Sequence, residues 1–186
     1  MNVELIDRLR QITLVTMDVD GVLTDGGIIY GSDGTEQKRF FAADGLGIGL
    51  LGASSIRTAI ITGRSYPGTE RRAAELGIDF CVQGARDKGA AMLEICSTLN
   101  VNQKCVLHIG DDWNDIPAFY HAGITAAPSN AVAEVIRLVD IVTNAAGGNG
   151  AVREICMMLL AARESVDDTL AKFLQRVSAI AQTIPG

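Results

Sequence analysis

Short apolar runs alternate along the chain with longer segments whose apolar positions recur every three or four residues. The runs are rich in β-branched residues, and the first of them is broken by Gly21. Such runs indicate buried strands, and the longer segments indicate amphipathic helices. Predicted strands cover 12–18, 57–61, 80–82, 104–109, 123–126 and 140–143, and predicted helices cover 2–10, 44–53, 66–76, 86–98, 114–121, 130–137 and 150–162. The alternation predicts an α/β fold, a doubly wound parallel sheet with helices on both faces.

One insert, about residues 27–41, interrupts the alternation. Asp33-Gly34 between two β-like runs is a strong signal for a β-hairpin. Because the insert directly follows the first strand, we expect it to stand over the carboxyl end of that strand. A two-stranded ribbon is marginal alone, so we expect it to contact other subunits, the alternative being a lid on its own subunit. The apolar residues that need cover are Ile28, Ile29, Phe40 and Phe41.

The segment after residue 163 is predicted to be a further helix, a tail over 164–186 that follows one domain over 1–163. Ser165 and Asp168 resemble a capping box. Apolar residues then recur at helical spacing, and both docking on the same domain and contact with a neighbour remain open. These residues are Val166, Leu170, Phe173, Leu174 and Val177.

Composition narrows the class of protein. The chain has 186 residues, 48% of them hydrophobic, and a formal net charge of −6. An acidic surface without a broad basic footprint argues against nucleic acid as a partner. There is no apolar run long enough to span a membrane, and the four cysteines lack metal-site spacing, so we expect buried thiols in a cytoplasmic protein.

Two aspartates, Asp18 and Asp20, close the first strand. Ligands of open α/β sheets bind at this end of the strands. Paired carboxylates there can hold a divalent cation, attack phosphorus or move a proton. In isolation the pattern also fits an ordinary turn after a strand.

Three more carboxylates, Asp111, Asp112 and Asp115, follow the strand at 104–109. They would repel one another unless a cation lies among them, and a helix cap explains only one of them. Within the same segment, His108 is predicted to be a core residue or to support the site, and Trp113 is predicted to be a packing residue.

Three further features lie near strand ends. Thr62-Gly63-Arg64 follows the second sheet strand, and a hydroxyl with backbone N–H groups can hold phosphate oxygens. Lys88 opens a helix, where a cation is disfavoured unless it meets an anion. Arg153, after a glycine-rich loop, could pair with a carboxylate or phosphate. A strand terminus, a solvated lysine and a surface arginine are the alternatives.

In order, Asp18-x-Asp20-Gly, Thr62-Gly, Lys88 and Gly110-Asp111-Asp112-x-x-Asp115 resemble the four motifs of the haloacid dehalogenase superfamily of phosphatases. A hairpin in place of a helical cap is similar to the capless branch, which acts on small sugar-acid phosphates as a tetramer. A finer pattern comprises Asp18-Val19-Asp20-Gly21-Val22-Leu23-Thr24-Asp25-Gly26, Asp44-Gly45-x-Gly47-Ile48, Ile60-Ile61-Thr62-Gly63-Arg64, Gln83-Gly84 and Gly147-Gly148-x-Gly150-Ala151-Val152-Arg153-Glu154. It resembles the branch that hydrolyses the 8-phosphate of the eight-carbon acid 3-deoxy-D-manno-octulosonate (Kdo), a lipopolysaccharide precursor. Arg64 favours that branch over its sister, which acts on nine-carbon sialic-type 9-phosphates.

This resemblance implies a mechanism. Asp18 would be the nucleophile and Asp20 the general acid and base. Mg²⁺ would be held by Asp18, the Asp20 carbonyl and Asp111, with Asp112 and Asp115 orienting its surroundings. The implied substrate-binding residues are Thr62, Gly63, Arg64, Lys88 and a neighbour's Arg153. The rival from another class is a domain kept for assembly without catalysis.

Overall fold

The computed structural model of the chain describes residues 3–163 and 166–183. Its strands are β1 (Leu14–Met17), β2 (Ile29–Tyr30), β3 (Glu36–Gln37), β4 (Arg57–Ile61), β5 (Phe80–Val82), β6 (Val106–Ile109), β7 (Ile124–Ala127) and β8 (Ile141–Val142). Its α-helices are α1 (Val3–Arg10), α2 (Ala42–Ala53), α3 (Pro67–Leu76), α4 (Lys88–Leu99), α5 (Ile116–Phe119), α6 (Ala133–Ile136), α7 (Ala151–Arg163) and α8 (Val166–Thr183).

Six strands form one parallel sheet in the order β5-β4-β1-β6-β7-β8. β1 lies at the centre, and its Val15 pairs with Thr58 on one side and Leu107 on the other. The chain winds outward from β1 in one direction and from β6 in the other. The crevice between the carboxyl ends of these two strands is therefore the expected ligand site.

Alternation along β1 directs its side chains to two cores. Val15 and Met17 belong to the larger core, where α1, α2 and α7 pack. Leu14 faces the opposite core, which includes Met92 of α4 and Ala118 of α5. Because successive side chains of a strand point to opposite faces, Thr16 shares the face of Leu14, and the strand delivers Asp18 toward the start of α4.

The predicted fold is confirmed, and each predicted sheet strand is present with its ends within two residues of the prediction. The helix predicted at 114–121 is shorter and is preceded by a 3₁₀ turn at Trp113–Asp115. The helix predicted at 130–137 is reduced to α6. Cys96 and Cys156 are buried, Cys81 and Cys105 are half-buried, and all four are free thiols.

The hairpin prediction is confirmed, although its strands contain only two residues each. Asp33 shapes the turn, because its carboxylate accepts hydrogen bonds from the backbone N–H and the hydroxyl of Thr35. Phe40 packs against the larger core, whereas Ile28 and Ile29 are 43% and 55% exposed. The apolar residues at the start of the hairpin therefore lack cover within the described part of the chain.

The C-terminal helix α8 packs against α2. Phe173 contacts the larger core and Thr169 is buried, whereas Leu170, Leu174 and Val177 are about half exposed. The helix thus docks on its own domain with part of its apolar surface. The predicted capping box depends on Ser165, which lies outside the described residues.

A glycine-rich loop at 145–150 closes against the loop that follows β1. The N–H of Gly148 donates to the carbonyl of Val22 at 2.9 Å. A Cβ atom at Gly147 would collide with the carbonyl oxygen of Gly21, so only glycine permits this approach. None of the helices in the described ranges is both long enough and apolar enough to cross a bilayer.

Candidate active site

Asp18 lies at the floor of the crevice, directly after β1, and only 3% of it is exposed. One carboxylate oxygen, Oδ1, accepts a hydrogen bond from the N–H of Val19 at 2.6 Å. The other, Oδ2, lies 2.6 Å from the ammonium of Lys88. The carboxylate is therefore fixed in direction by two donors.

Lys88 is the first residue of α4 and is 1% exposed. An ammonium at the positive end of a helix and away from water is unfavourable unless anions compensate for it. Asp18 and Asp115 supply them, the latter at 2.7 Å. Burial opposes the charged form, but the two carboxylates outweigh it and raise the pKa of Lys88. The lysine is thus a buried cation and not a solvated surface residue.

Asp115 holds the loop after β6 together. Its Oδ1 accepts from Lys88 and lies 3.2 Å from Nε2 of His108, while its Oδ2 accepts from the N–H of Asp111 at 3.0 Å and of Asp112 at 3.5 Å. Burial opposes ionisation of Asp115, but the hydrogen bonds from His108 and Lys88 outweigh it and lower the pKa of this carboxyl. Both of its oxygens are already occupied by donors.

His108 connects this cluster to the centre of the sheet. Its Nδ1 lies 2.9 Å from the hydroxyl of Thr16, and its ring meets that of Phe119 edge-on at 5.4 Å. A carboxylate can only accept, so Nε2 carries a proton and donates it toward Asp115. The sequence predicted that His108 is a core residue or supports the site. In the structure it is fully buried and it also contacts Asp115.

Asp111 completes a cluster of three carboxylates with Asp18 and Asp115. One oxygen from each of the three lies within 4.8 Å of the others. Gly21 makes this possible, since it has a φ of +89° and a Cβ atom there would collide with the Asp111 carboxylate. Clustered oxygen donors suit a hard divalent cation such as Mg²⁺.

The protonation of the cluster points to the same conclusion. Burial, followed by the charges of Asp115 and Asp18, raises the pKa of Asp111 to about 7. Burial and the charge of Asp115 also raise the pKa of Asp18, with Lys88 opposing them. One ammonium therefore leaves the three carboxylates under-compensated, and a bound cation would stabilise their ionised forms.

Above this floor is a cleft of about 250 Å³. Thr62 is 2% exposed, and its hydroxyl oxygen lies 3.5 Å from the N–H of Arg64 as an acceptor, which leaves its proton available to a ligand. Predicted site residues that line the cleft are Asp18, Asp20, Thr62, Gly63, Arg64, Asp111 and Asp112. Gly26 and Asn114 line it as well.

Lys38 is a residue of the site that the sequence analysis missed. It follows β3, its side chain is 1% exposed, and its ammonium lies 2.5 and 2.7 Å from the two carboxylate oxygens of Asp20. Glu36, two residues earlier, accepts a hydrogen bond from Arg64 at 2.7 Å. The spacing of Glu36 and Lys38 on one face of a strand beside the aspartate pair was the signal that could have found them.

Arg153 and Trp113 do not line the cleft of this chain. Arg153 is packed against α2, its N–H donates to Asp44 at 2.8 Å, and it borders a cavity that α8 covers. The structure does not bring it to the cleft of its own subunit. Trp113 is 62% exposed, so the prediction that it packs in the interior is wrong. The 3₁₀ turn directs this side chain outward while Asp115 is directed inward.

The chain is similar in sequence and in fold to known proteins. Residues 81–155 match the haloacid dehalogenase-like hydrolase family. The 3-deoxy-D-manno-octulosonate 8-phosphate phosphatase KdsC of Haemophilus influenzae is 39% identical over 94% of this chain and 98% of its own. The crystal structure of the Moraxella catarrhalis phosphatase of that name, in complex with magnesium, phosphate and Kdo, is 42% identical, with a TM-score of 0.88 over 91% of this chain and 98% of that one.

The chain belongs to the 3-deoxy-D-manno-octulosonate 8-phosphate phosphatase family of haloacid dehalogenase-like hydrolases. A cobalt-bound structure of the H. influenzae member is also similar, with 40% identity, a TM-score of 0.85, and coverage of 90% of this chain and 99% of that one. These family members thus provide examples in which a divalent metal is bound, in keeping with the carboxylate cluster of this chain.

We predict that His108→Phe lowers the free energy of unfolding by about 1–3 kcal/mol. The ring volume is kept, but Asp115 loses a donor and the Thr16 hydroxyl loses its hydrogen-bond partner. A buried hydrogen bond that is left unmade costs about that much. Urea unfolding followed by circular dichroism measures the change. Thr16→Val is the matched control, because it removes one of the two contacts and should cost less. A His108→Phe variant as stable as the parent would contradict this account.

We also predict that the affinity for Mg²⁺ rises with pH up to about pH 7. Below the pKa of Asp111, near 7, the metal-free carboxyl carries a proton that the cation must displace. The dissociation constant should then increase roughly tenfold for each pH unit below that value. Calorimetric titration of metal-free protein between about pH 6 and 8 tests this. Asp111→Asn should bind Mg²⁺ weakly with little pH dependence, and a flat profile in the parent would overturn the prediction.

Proposed function

We propose that the chain is a Mg²⁺-dependent phosphatase that hydrolyses 3-deoxy-D-manno-octulosonate 8-phosphate to Kdo and inorganic phosphate. The observation that carries this proposal is the buried Asp18–Lys88–Asp115 cluster at the floor of the cleft. In a chain of this family, it places the fixed Asp18 carboxylate beside the Lys88 ammonium and beside carboxylate oxygens that can bind a metal ion. The relative that holds magnesium, phosphate and Kdo supports the choice of ligands.

The reaction then has two steps. A carboxylate oxygen of Asp18 attacks phosphorus while the bond to the sugar oxygen breaks, and Asp20 gives that oxygen a proton. Asp20 next takes a proton from water, whose oxygen attacks the aspartyl-phosphate and releases phosphate. The Lys88 ammonium offsets the repulsion between the Asp18 carboxylate and the substrate phosphate. Phosphoryl transfer of this kind depends mainly on positioning and charge.

The residues of the chain fit Mg²⁺. Asp18, Asp111 and the main-chain carbonyl of Asp20 would hold the ion, and Asp112 and Asp115 would orient the loop that carries Asp111. When bound, Mg²⁺ supplies positive charge that neutralises phosphate oxygens. Asp115 is suited to the orienting role, because donors already occupy both of its oxygens.

The substrate is held by other groups. The Thr62 hydroxyl and the backbone beside Gly63 would bind phosphoryl oxygens together with Lys88. Arg64, at the rim of the cleft, would pair with the carboxylate of the sugar acid. Arg153 would reach a site only across a subunit boundary, since it is packed away from the cleft of its own subunit.

Phosphate release by chelator-treated protein, with and without Mg²⁺, tests the activity. The substrates are Kdo 8-phosphate, a sialic-type 9-phosphate and a hexose phosphate, compared by kcat/KM. A Mg²⁺-dependent preference of roughly tenfold or more for the eight-carbon acid, ~1.4 kcal/mol of transition-state discrimination, supports the proposal. A preference for the nine-carbon acid would change the substrate and keep the chemistry. No release from any of them would favour a non-catalytic assembly domain.

We predict that Asp18→Asn lowers kcat/KM by roughly a thousandfold or more, because the amide cannot act as the nucleophile. Folding should be retained, as judged by circular dichroism and thermal unfolding. Asp7→Asn is the matched control, since Asp7 is exposed on α1 and pairs with Arg10. Retention of one-tenth of the parent rate by Asp18→Asn would exclude Asp18 as the nucleophile.

We further propose that the enzyme is a cytoplasmic homotetramer built through its hairpins. Support comes from the exposed run Ile28, Ile29 and Tyr30, since neighbouring apolar residues on a surface are typical of an interface. Four free thiols agree with a reducing compartment.

Ile29→Glu should therefore shift the sedimentation of the protein from tetramer toward smaller species, because it places a charge in the proposed interface. Leu138→Glu is the matched control, since Leu138 is a similarly exposed apolar residue (59%) outside the hairpin. Equal sedimentation of both variants and the parent would contradict assembly through the hairpin.

A further inference from the structure

The contact between Lys38 and Asp20 joins two parts of the chain that serve different purposes. Asp20 belongs to the loop after β1, whereas Lys38 belongs to the hairpin. The ammonium of Lys38 lies 2.5 Å from Oδ1 and 2.7 Å from Oδ2 of Asp20. A single donor group on both oxygens fixes the plane of the carboxylate as well as its position.

The burial of Lys38 is unusual for its residue type. Its side chain is 1% exposed, and the Tyr66 ring lies 5.5 Å from the ammonium. Lysine is almost never fully buried unless it is paired. The residues that line the cleft include Asp20 but not Lys38. Of the residues that line the cleft, the one that Lys38 contacts directly is Asp20.

Two further charges extend this contact into a closed ring. Glu36 Oε1 lies 3.8 Å from the Lys38 ammonium, and Glu36 Oε2 accepts from Arg64 at 2.7 Å. Arg64 Nε in turn lies 3.9 Å from Asp20 Oδ2. Two acids and two bases thus alternate, and they connect the hairpin to the loops after β1 and β4.

We propose that Lys38 is a positioning residue for proton transfer, which holds the Asp20 carboxylate at the position from which it serves the leaving sugar oxygen. General acid–base catalysis requires the carboxyl within about 2.6–3.2 Å of the oxygen that it protonates. Asp20 lies beyond the end of β1, so the hydrogen bonds between sheet strands do not fix its position. The hairpin restrains it instead, through the ammonium of Lys38. This inference rests on the proposed role of Asp20.

Leaving-group dependence tests the proposal. Kdo 8-phosphate has a basic leaving oxygen that needs a proton, whereas p-nitrophenyl phosphate has a weakly basic one that does not. Lys38→Met should lower kcat/KM for Kdo 8-phosphate by roughly a hundredfold, the lower range of a general acid–base contribution, and for p-nitrophenyl phosphate by much less. An equal loss with both substrates, or no loss with either, would overturn the proposal.

The controls separate positioning from folding. Arg39→Met removes the same charge from the adjacent residue, which is exposed and pairs with Asp25, and its activity should stay within about twofold of the parent. Lys38→Arg keeps the charge and should recover part of the loss for Kdo 8-phosphate. If Lys38→Met does not fold, the Lys38→Arg variant is compared on both substrates, and an equal loss on both would again overturn the proposal.

Asp20→Asn separates this inference from the proposed function. It should show the same leaving-group pattern as Lys38→Met, and the double variant should be no slower than Asp20→Asn alone, as expected for residues that act as a unit. Additive losses would mean that Lys38 acts independently of Asp20. An Asp20→Asn variant without leaving-group dependence would exclude Asp20 as the acid, and the Lys38 inference with it, while parent turnover would still support the phosphatase.

Discussion

The site depends on one buried ammonium held between two carboxylates. Lys88 enters from the start of α4, Asp18 from the end of β1, and Asp115 from the turn after β6. Removing the Lys88 charge would leave both carboxylates buried without their cation, which is a larger penalty than the net value of the pair. The alternation of strands and helices brings β1, α4 and the turn after β6 to the same edge of the sheet. The ion cluster then fixes their positions relative to one another. The hydrogen bonds that the Asp115 carboxylate accepts from the N–H groups of Asp111 and Asp112 extend that order to the loop that faces the cleft.

The same cluster explains why the acidic chain can receive an anion. Three carboxylates share one ammonium, and the pKa of Asp111, raised to about 7 by burial and its neighbours, reflects the remaining repulsion. A divalent cation removes that repulsion and presents positive charge to a phosphate. The repulsion among the three carboxylates thus lowers the stability of the metal-free fold, and the same repulsion favours binding of the ion. His108 donates to Asp115 from the centre of the sheet and so helps to orient this carboxylate.

Most of the fold and the floor of the site could be predicted from the sequence. They follow from the apolar pattern that marks each strand and from the residues that come directly after it. Asp18, Asp111 and Thr62 each follow a parallel strand, and parallel strands bring their carboxyl ends together whatever the side-chain detail. Lys38 could not be placed in this way. Its position depends on how the hairpin folds back, which a turn signal such as Asp33-Gly34 does not specify. Trp113 was misjudged for a related reason, since a 3₁₀ turn sends neighbouring side chains to different environments than an α-helix does.

The hairpin shows how a very small element can be kept in place. Its strands pair over two residues each, too few for independent stability. Charged groups hold one side of it, through Lys38 on Asp20 and Glu36 on Arg64, and Phe40 anchors its return to α2 in the larger core. These contacts leave Ile28, Ile29 and Tyr30 exposed. The charged and the apolar side chains of this one ribbon therefore lie in different surroundings: the charged ones contact the loops after β1 and β4, and the apolar ones are exposed. Because only a few residues separate the two faces of the ribbon, the interface that we propose for Ile28 and Ile29 would lie close to the Lys38–Asp20 contact.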